Sequence, residues 1–187
     1  MSTDFALRPQ PASAPDSPRP PKRPGRPSAR PPARPTAGAA LHSIIAATAV
    51  LLGLVAIGTV IHEPVLIPPL AASAALVHSA PSQPLAQPRS LVVGHLLGAA
   101  AGYGVLALAN SSPWAAAVAG GVTLAATMAA RTPHSPACAT AVVVVLQTPA
   151  PGRFVPLLLG ATMLLALTGF AASRVRRGTP RYPAYWW

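Results

Sequence analysis

The run LHSIIAATAVLLGLVAIGTVI, residues 41–61, is 21 residues long and carries no formal charge. About 20 helical residues cross the hydrocarbon core of a bilayer, so this run reads as a membrane span. A signal peptide is the competing reading. Its apolar region is about 7–15 residues behind a short basic stretch; here the run is longer and residues 1–40 precede it.

Three more uncharged runs follow, Leu91–Ala109, Trp114–Ala130 and Phe154–Ser173, of 19, 17 and 20 residues. Each is expected to be a full span. Two apolar segments are too short for that, Val65–His78 and Ala137–Gln147. Proline breaks mark their starts: Pro64, Pro68 and Pro69 at the first, Pro133 and Pro136 at the second. Eleven helical residues reach about 16 Å, and six extended residues, 131–136, add up to about 20 Å. Each short segment is therefore either a broken span or a re-entrant loop. Non-helical backbone at membrane depth needs cover from protein or water, and such breaks are where transporters place their sites.

The two short segments also match each other. Pro69-Leu70-Ala71-Ala72-Ser73-Ala74-Ala75-Leu76-Val77 aligns with Pro136-Ala137-Cys138-Ala139-Thr140-Ala141-Val142-Val143-Val144, four of nine identical, with Ser73 against Thr140. The expected fold is an all-α membrane protein. It has four full transmembrane helices plus two short broken or re-entrant helices, arranged as a 3+3 internal repeat.

Charge sets the domain plan. Charged residues make up 9% of the chain, against about 25% in soluble domains. Of the 14 Lys and Arg, seven precede residue 40, four follow residue 173, and only Arg89, Arg131 and Arg153 lie between, with the acid Glu63. Residues 1–39 hold 11 of the 25 prolines and little to bury, which predicts a disordered Pro/Arg-rich tail. Residues 40–174 form the transmembrane domain, as repeats 41–109 and 114–173. Residues 175–187 form a basic, aromatic tail, with Tyr182, Tyr185, Trp186 and Trp187 expected among the headgroups. Basic residues mark the cytoplasmic side, so both termini are expected in the cytoplasm, in a bacterial plasma membrane. If the short segments cross, only Arg153 lies outside.

The net charge of +11 thus reads as topology, and no nucleic-acid motif accompanies it. The expected partners are the lipid bilayer, anionic lipid at the basic tails, and a small-molecule or ion substrate. Six short helices make a thin wall, which is compatible with a homo-oligomer. One cysteine, Cys138, allows no internal disulfide. There is no P-loop motif. No metal site, cofactor or enzymatic activity is expected.

Several stretches in order resemble the HPP family of integral membrane proteins, over roughly residues 60–173. They are Leu85-Ala86-Gln87-Pro88-Arg89, Gly94-His95-Leu96-Leu97, and Arg131-Thr132-Pro133-His134-Ser135-Pro136 leading into Ala139-Thr140-Ala141. The family's His-Pro-Pro triad reads His134-Ser135-Pro136 here, and Cys138 stands where a glycine is usual. Pro69 to Ser73 resembles the family's Pro-Phe-Gly-Ala-Ser, with Leu70 and Ala71 substituted. The resemblance implies a small multi-span protein and a transporter; plant plastid members are associated with nitrite transport.

The candidate pathway residues are His134, Ser135, Thr140, Ser73, His95, Arg89 and Arg131, with Pro68, Pro69, Pro133 and Pro136 as structural breaks. A helix start offers unpaired N–H groups and partial positive charge, a ready anion site. Ser73 and Thr140 are placed on the first turns and offer hydroxyls; the bland alternative is that each bonds back to its own helix. His134 can donate to an anion or carry a proton, or simply cap a helix. His95 sits inside an uncharged span, where a polar side chain marks either function or a helix–helix bond. Arg89 and Arg131 attract an anion or snorkel to headgroups. His42, His62 and His78 read as interfacial, and His62-Glu63 as a weak relay pair. The rows Gly94, Gly98, Gly102 and Gly120, Gly121 read as close helix contacts. Two functions follow: a small-solute transporter or channel, with nitrite as a candidate small inorganic anion, or a non-transporting membrane scaffold whose basic tail binds a partner or anionic lipid.

Overall fold

The computed structural model describes residues 34–175 and 180–185. The expected disorder of residues 1–33, and the positions of Arg176, Arg177, Trp186 and Trp187, lie outside the described residues. Those described form six helices and one 3-10 turn, without a strand. The helices are α1 (Ala37–Ile61), α2 (Pro68–Ser79), α3 (Pro88–Ala109), α4 (Pro113–Ala129), α5 (Ser135–Gln147) and α6 (Pro151–Val175), with the turn at Pro84–Ala86.

Proline sets most of these starts. Every helix except α1 has Pro at its first or second position, where the missing N–H is not needed and φ is already helical. Thr36 and Ser112 cap α1 and α4 through their hydroxyls, accepting from otherwise unpaired N–H groups. α1 thus begins at Ala37, inside the stretch expected to be tail. α1 and α4 end alike. His62 and Arg131 turn left-handed at φ 55° and 53°, and the next residue donates back, Glu63 N to Gly58 O at 3.0 Å and Thr132 N to Thr127 O at 2.9 Å. This closes the last carbonyls of each helix.

The helices run alternately between two ends of the bundle. At one end His42 Nε2 donates to Ala172 O (3.1 Å), Arg89 Nη2 to Ala130 O (3.1 Å), and Ala184 N to Gln87 Oε1 (2.9 Å). These bonds gather the starts of α1 and α3 and the ends of α4 and α6. At the other end Arg153 Nη1 pairs with Glu63 Oε1 at 2.9 Å, and Tyr103 donates to Pro149 O at 3.0 Å. Both short helices therefore pass from one end to the other, and neither turns back.

Three helices, α1, α3 and α6, are long and apolar enough to cross a membrane. The fourth expected span, α4, is shorter. α4 has 17 residues, about 26 Å at about 1.5 Å per residue. Polarity is arranged inside out. Leu52, Val60, Leu108, Trp114, Met128 and Leu167 face outward, whereas Ser73, Gln87, His95, Thr123, Thr140 and Thr162 are fully buried. Such a surface suits hydrocarbon, and such an interior satisfies polar groups away from it.

The helices pack as one bundle: α3 lies against α4, α5 and α6, and α2 lies against α1, α5 and α6. The α3·α5 contact is the closest. A Cβ on Gly94 would meet His134 Cβ at 2.7 Å, one on Gly102 would meet Val144 Cβ at 2.8 Å, and one on Gly98 would strike the Ala137 carbonyl. The expected row on α3 is real. Gly121 faces open space and Gly120 meets only Val142 at 3.9 Å, so that pair is not a close contact.

Tyr182 is covered by protein. It is 1% exposed, packed beside Gly169, because the segment 180–185 folds back on the bundle. His78, near the end of α2, is likewise buried, beside a cavity of about 400 Å³ that His42 and Ser82 also line.

Candidate functional site

Four candidate side chains from different elements meet in one buried cluster. Ser73 and Thr140 are each the sixth residue of a short helix, in its second turn rather than its first, because α2 starts at Pro68 and α5 at Ser135. Each hydroxyl also lies near the carbonyl of the proline four residues back, Ser73 to Pro69 O at 3.0 Å and Thr140 to Pro136 O at 3.4 Å. His134 is the N-cap residue of α5. His95 projects from α3, next to the Gly94 that lets His134 approach.

Ser73 Oγ is 2.8 Å from His95 Nε2 and 2.9 Å from His134 Nε2. His95 Nδ1 is 2.7 Å from Thr140 Oγ1, and His134 Nδ1 is 2.7 Å from Leu85 O. The two rings meet edge to face with centroids 4.8 Å apart. None of the four side chains is more than 3% exposed.

Hydrogen-bond chemistry orients this chain. A carbonyl only accepts, so His134 Nδ1 carries a proton and donates to Leu85 O. In neutral His134 the Nε2 then accepts, and the donor in reach is the Ser73 hydroxyl. Ser73 Oγ in turn accepts from His95 Nε2–H, and His95 Nδ1 accepts from Thr140. Thus one carbonyl fixes the direction of four bonds, Thr140 to His95 to Ser73 to His134 to Leu85.

The other candidates lie apart. Ser135 is exposed. Arg131 is exposed in the turn after α4, and Arg89 is half-buried with its guanidinium on Ala130 O. Both stand at the end of the bundle where Leu85 also lies. Pro133 is exposed, while Pro69 and Pro136 are buried at the short helix starts. At α2 the first N–H groups are spoken for: Pro68 and Pro69 have none, and Leu70 N and Ala71 N both donate to Ile67 O, at 3.0 and 3.4 Å. The relay pair His62-Glu63 is not formed as such, since Glu63 pairs with Arg153. Among the described residues no three His, Cys, Asp or Glu side chains converge as metal ligands would.

Sequence reasoning missed the carbonyl of Leu85 and the role of Gln87. Gln87 is fully buried. Its Nε2 donates to Pro81 O at 2.8 Å and Gln83 O at 2.9 Å, holding the loop that presents Leu85. The available signal was a lone amide between Ala86 and Pro88 in a stretch already singled out.

The family profile described as HPP, transmembrane region, matches residues 32–183. Two transmembrane proteins of Dictyostelium discoideum are similar, one 36% identical over 132 residues and the other 35% over 130. These alignments cover 66% and 63% of this chain, and 46% and 40% of the relatives. The chain thus spans less than half the length of either relative. No solved structure matches it.

Proposed function

The chain belongs to the HPP transmembrane family, and on that premise we propose that it is a transporter or channel for a small solute, a small inorganic anion of the nitrite kind. The observation that carries this reading is the meeting of Ser73, His95, His134 and Thr140 between both broken helices and the long α3. A buried polar group at membrane depth is costly unless it is used, and here four share one spot. Neutral imidazoles and hydroxyls offer an anion donors without a fixed charge that would hold it permanently. Arg89 and Arg131, at the end nearest His134, raise the local anion concentration.

The 3+3 repeat belongs to the same reading. The buried residues of α2 are Pro69, Leu70, Ser73, Ala74, Val77 and His78; those of α5 are Pro136, Ala137, Thr140, Ala141, Val144 and Val145. Each pair is separated by the same 67 residues. Val77 packs on Gly169 of α6 as Val144 packs on Gly102 of α3, at that offset again. The matching ends of α1 and α4 extend the correspondence. With alternating helices the two halves are inverted, an arrangement that allows alternating access to a central site. The cluster is closed on itself, so it corresponds to an occluded state that opens by movement of the repeat α1–α3 against the repeat α4–α6. The start of α1, the segment 180–185, Arg89 and Arg131 share one end, which the positive-inside rule makes cytoplasmic.

The test is flux in proteoliposomes across a panel of nitrite, nitrate, formate and chloride. Saturable flux of at least one anion, lost in Ser73→Ala and His95→Asn, is expected. An intact reconstituted protein that moves none would overturn the reading and leave the scaffold, whose effect should vanish when residues 1–33 are removed.

A further inference from the structure

The cluster has more freedom than a fixed structural network uses. Ser73 Oγ lies within hydrogen-bond reach of Pro69 O at 3.0 Å as well as of both imidazoles. Thr140 Oγ1 lies 2.7 Å from His95 Nδ1 and 3.4 Å from Pro136 O. Each hydroxyl is therefore a rotor set between an imidazole and a helix carbonyl.

Consider one added proton. Placed on His95 Nδ1, it makes that nitrogen a donor to Thr140 Oγ1, and the Thr140 hydrogen swings to Pro136 O. Placed on His134 Nε2, it makes that nitrogen a donor to Ser73 Oγ, and the Ser73 hydrogen swings to Pro69 O. His95 Nε2–H continues to donate to Ser73 Oγ, which has two lone pairs. Neither state requires a heavy atom to move. Two added protons would place like charges on rings 4.8 Å apart in a buried setting, so the capacity is one.

Among the described residues that proton finds no counter-charge beside it. The chain has three acids, Asp4, Asp16 and Glu63; the first two precede the described residues, and Glu63 is ion-paired with Arg153 at the opposite end of the bundle. The titratable and charged groups on the surrounding elements are His78 on α2, Arg89 and Tyr103 on α3, Arg131 in the turn before α5, and Cys138 on α5. None brings negative charge at neutral pH. A lone cation at this depth is costly unless paired, so the partner has to arrive with it.

We propose that the cluster loads one proton together with one monovalent anion, making transport an electroneutral one-for-one symport. This rests on the anion reading above. The proton comes from water on the open side, adds to the lone pair of His95 Nδ1 or His134 Nε2, and leaves the same nitrogen on the far side. No bond within the anion changes. The empty site is neutral and the loaded site carries a cation and an anion, so the membrane potential acts on neither.

The experiment uses full-length protein in vesicles holding a pH-sensitive dye. Nitrite and nitrate serve as probes, and protein-free vesicles correct for leakage of the free acid. A pH gradient should drive uptake with a proton-to-anion ratio near one, and a valinomycin-set potential of either sign should leave the initial rate unchanged. Thr140→Val keeps both histidines and removes one rotor. It should slow coupled uptake at least about tenfold, the scale of losing one hydrogen bond to a charged group. Anion flux that follows the potential and carries no protons would overturn the symport and leave the anion pathway standing. If no flux occurs, calorimetry of nitrite binding in buffers of different ionisation enthalpy decides: one proton taken up per anion bound supports the coupling without transport. Binding without proton uptake, or no binding at all, defeats it.

Discussion

At His134 both ring nitrogens have partners, and only one of those partners can serve in a single role. Leu85 O accepts and never donates, so the proton sits on His134 Nδ1, and every other proton in the cluster follows. The expected spectrum is specific: with labelled imidazoles, neutral His134 should show the Nδ1–H tautomer and His95 the Nε2–H tautomer. The reverse pair would mean that the chain runs the other way. Mutational costs follow from counting what is left unpaired. Ser73→Ala strands His95 Nε2–H and His134 Nε2 together, whereas Thr140→Val strands His95 Nδ1 alone. Each buried group left without a partner costs about 1–3 kcal/mol. Thermal unfolding in detergent should therefore find Ser73→Ala the more destabilised of the two, and equal losses would argue that Ser73 is not shared.

Among elements, α3 and α5 carry the tightest contact, and glycine makes it possible. A Cβ at Gly94 or Gly98 would displace His134 or the α5 backbone, and overpacking of that kind costs about 1–3 kcal/mol. Gly94→Ala and Gly98→Ala should lower the melting temperature and disturb the cluster, while Gly104→Ala and Gly121→Ala, which meet open space, should leave both unchanged. A melt insensitive to Gly98→Ala would remove α3·α5 as the organising contact. The Gly94, Gly98, Gly102 row was legible because small residues four apart have few other uses in an apolar helix. Gly120 and Gly121 had the same look and no partner, since a spacing cannot show which face meets a neighbour. Helix starts were legible to within a few residues from proline, yet the readings at Leu91 and Phe154 began late: Pro88 and Pro151 start their helices ahead of the apolar run. Ser73 and His95 could be singled out as polar groups in apolar surroundings. Their contact could not, because it joins residues 22 apart across two helices, and the carbonyl of Leu85 carries no side-chain signal at all.

For the whole molecule, the loop between α2 and α3 ties the cluster to the C-terminal segment. Leu85 O receives His134, and two residues on, Gln87 Oε1 receives Ala184 N at 2.9 Å and Tyr185 N at 3.4 Å. Gln87→Leu removes both acceptor contacts and the two bonds that shape the loop. It should free the backbone beside the already exposed Arg181, speed trypsin cleavage there and shift the His134 resonances, and a protease-resistant variant would show that Tyr182 alone holds the segment. Tyr182 gives the docking a pH signature. Burial pushes its phenol up from the ordinary value of about 10. The docked segment therefore keeps its proton at pH values where a free segment has lost it. Docking is then indifferent to pH below about 10 and weakens as pH rises beyond that. The Tyr182 hydroxyl is buried without a hydrogen-bond partner among the described residues, so Tyr182→Phe removes an unpaired group at little cost. The variant should dock as well as the parent at neutral pH, or up to about 1 kcal/mol better, and should stay trypsin-resistant in alkali where the parent opens. If parent and variant open together as pH rises, the alkaline transition belongs to another group and the burial of Tyr182 does not control the segment.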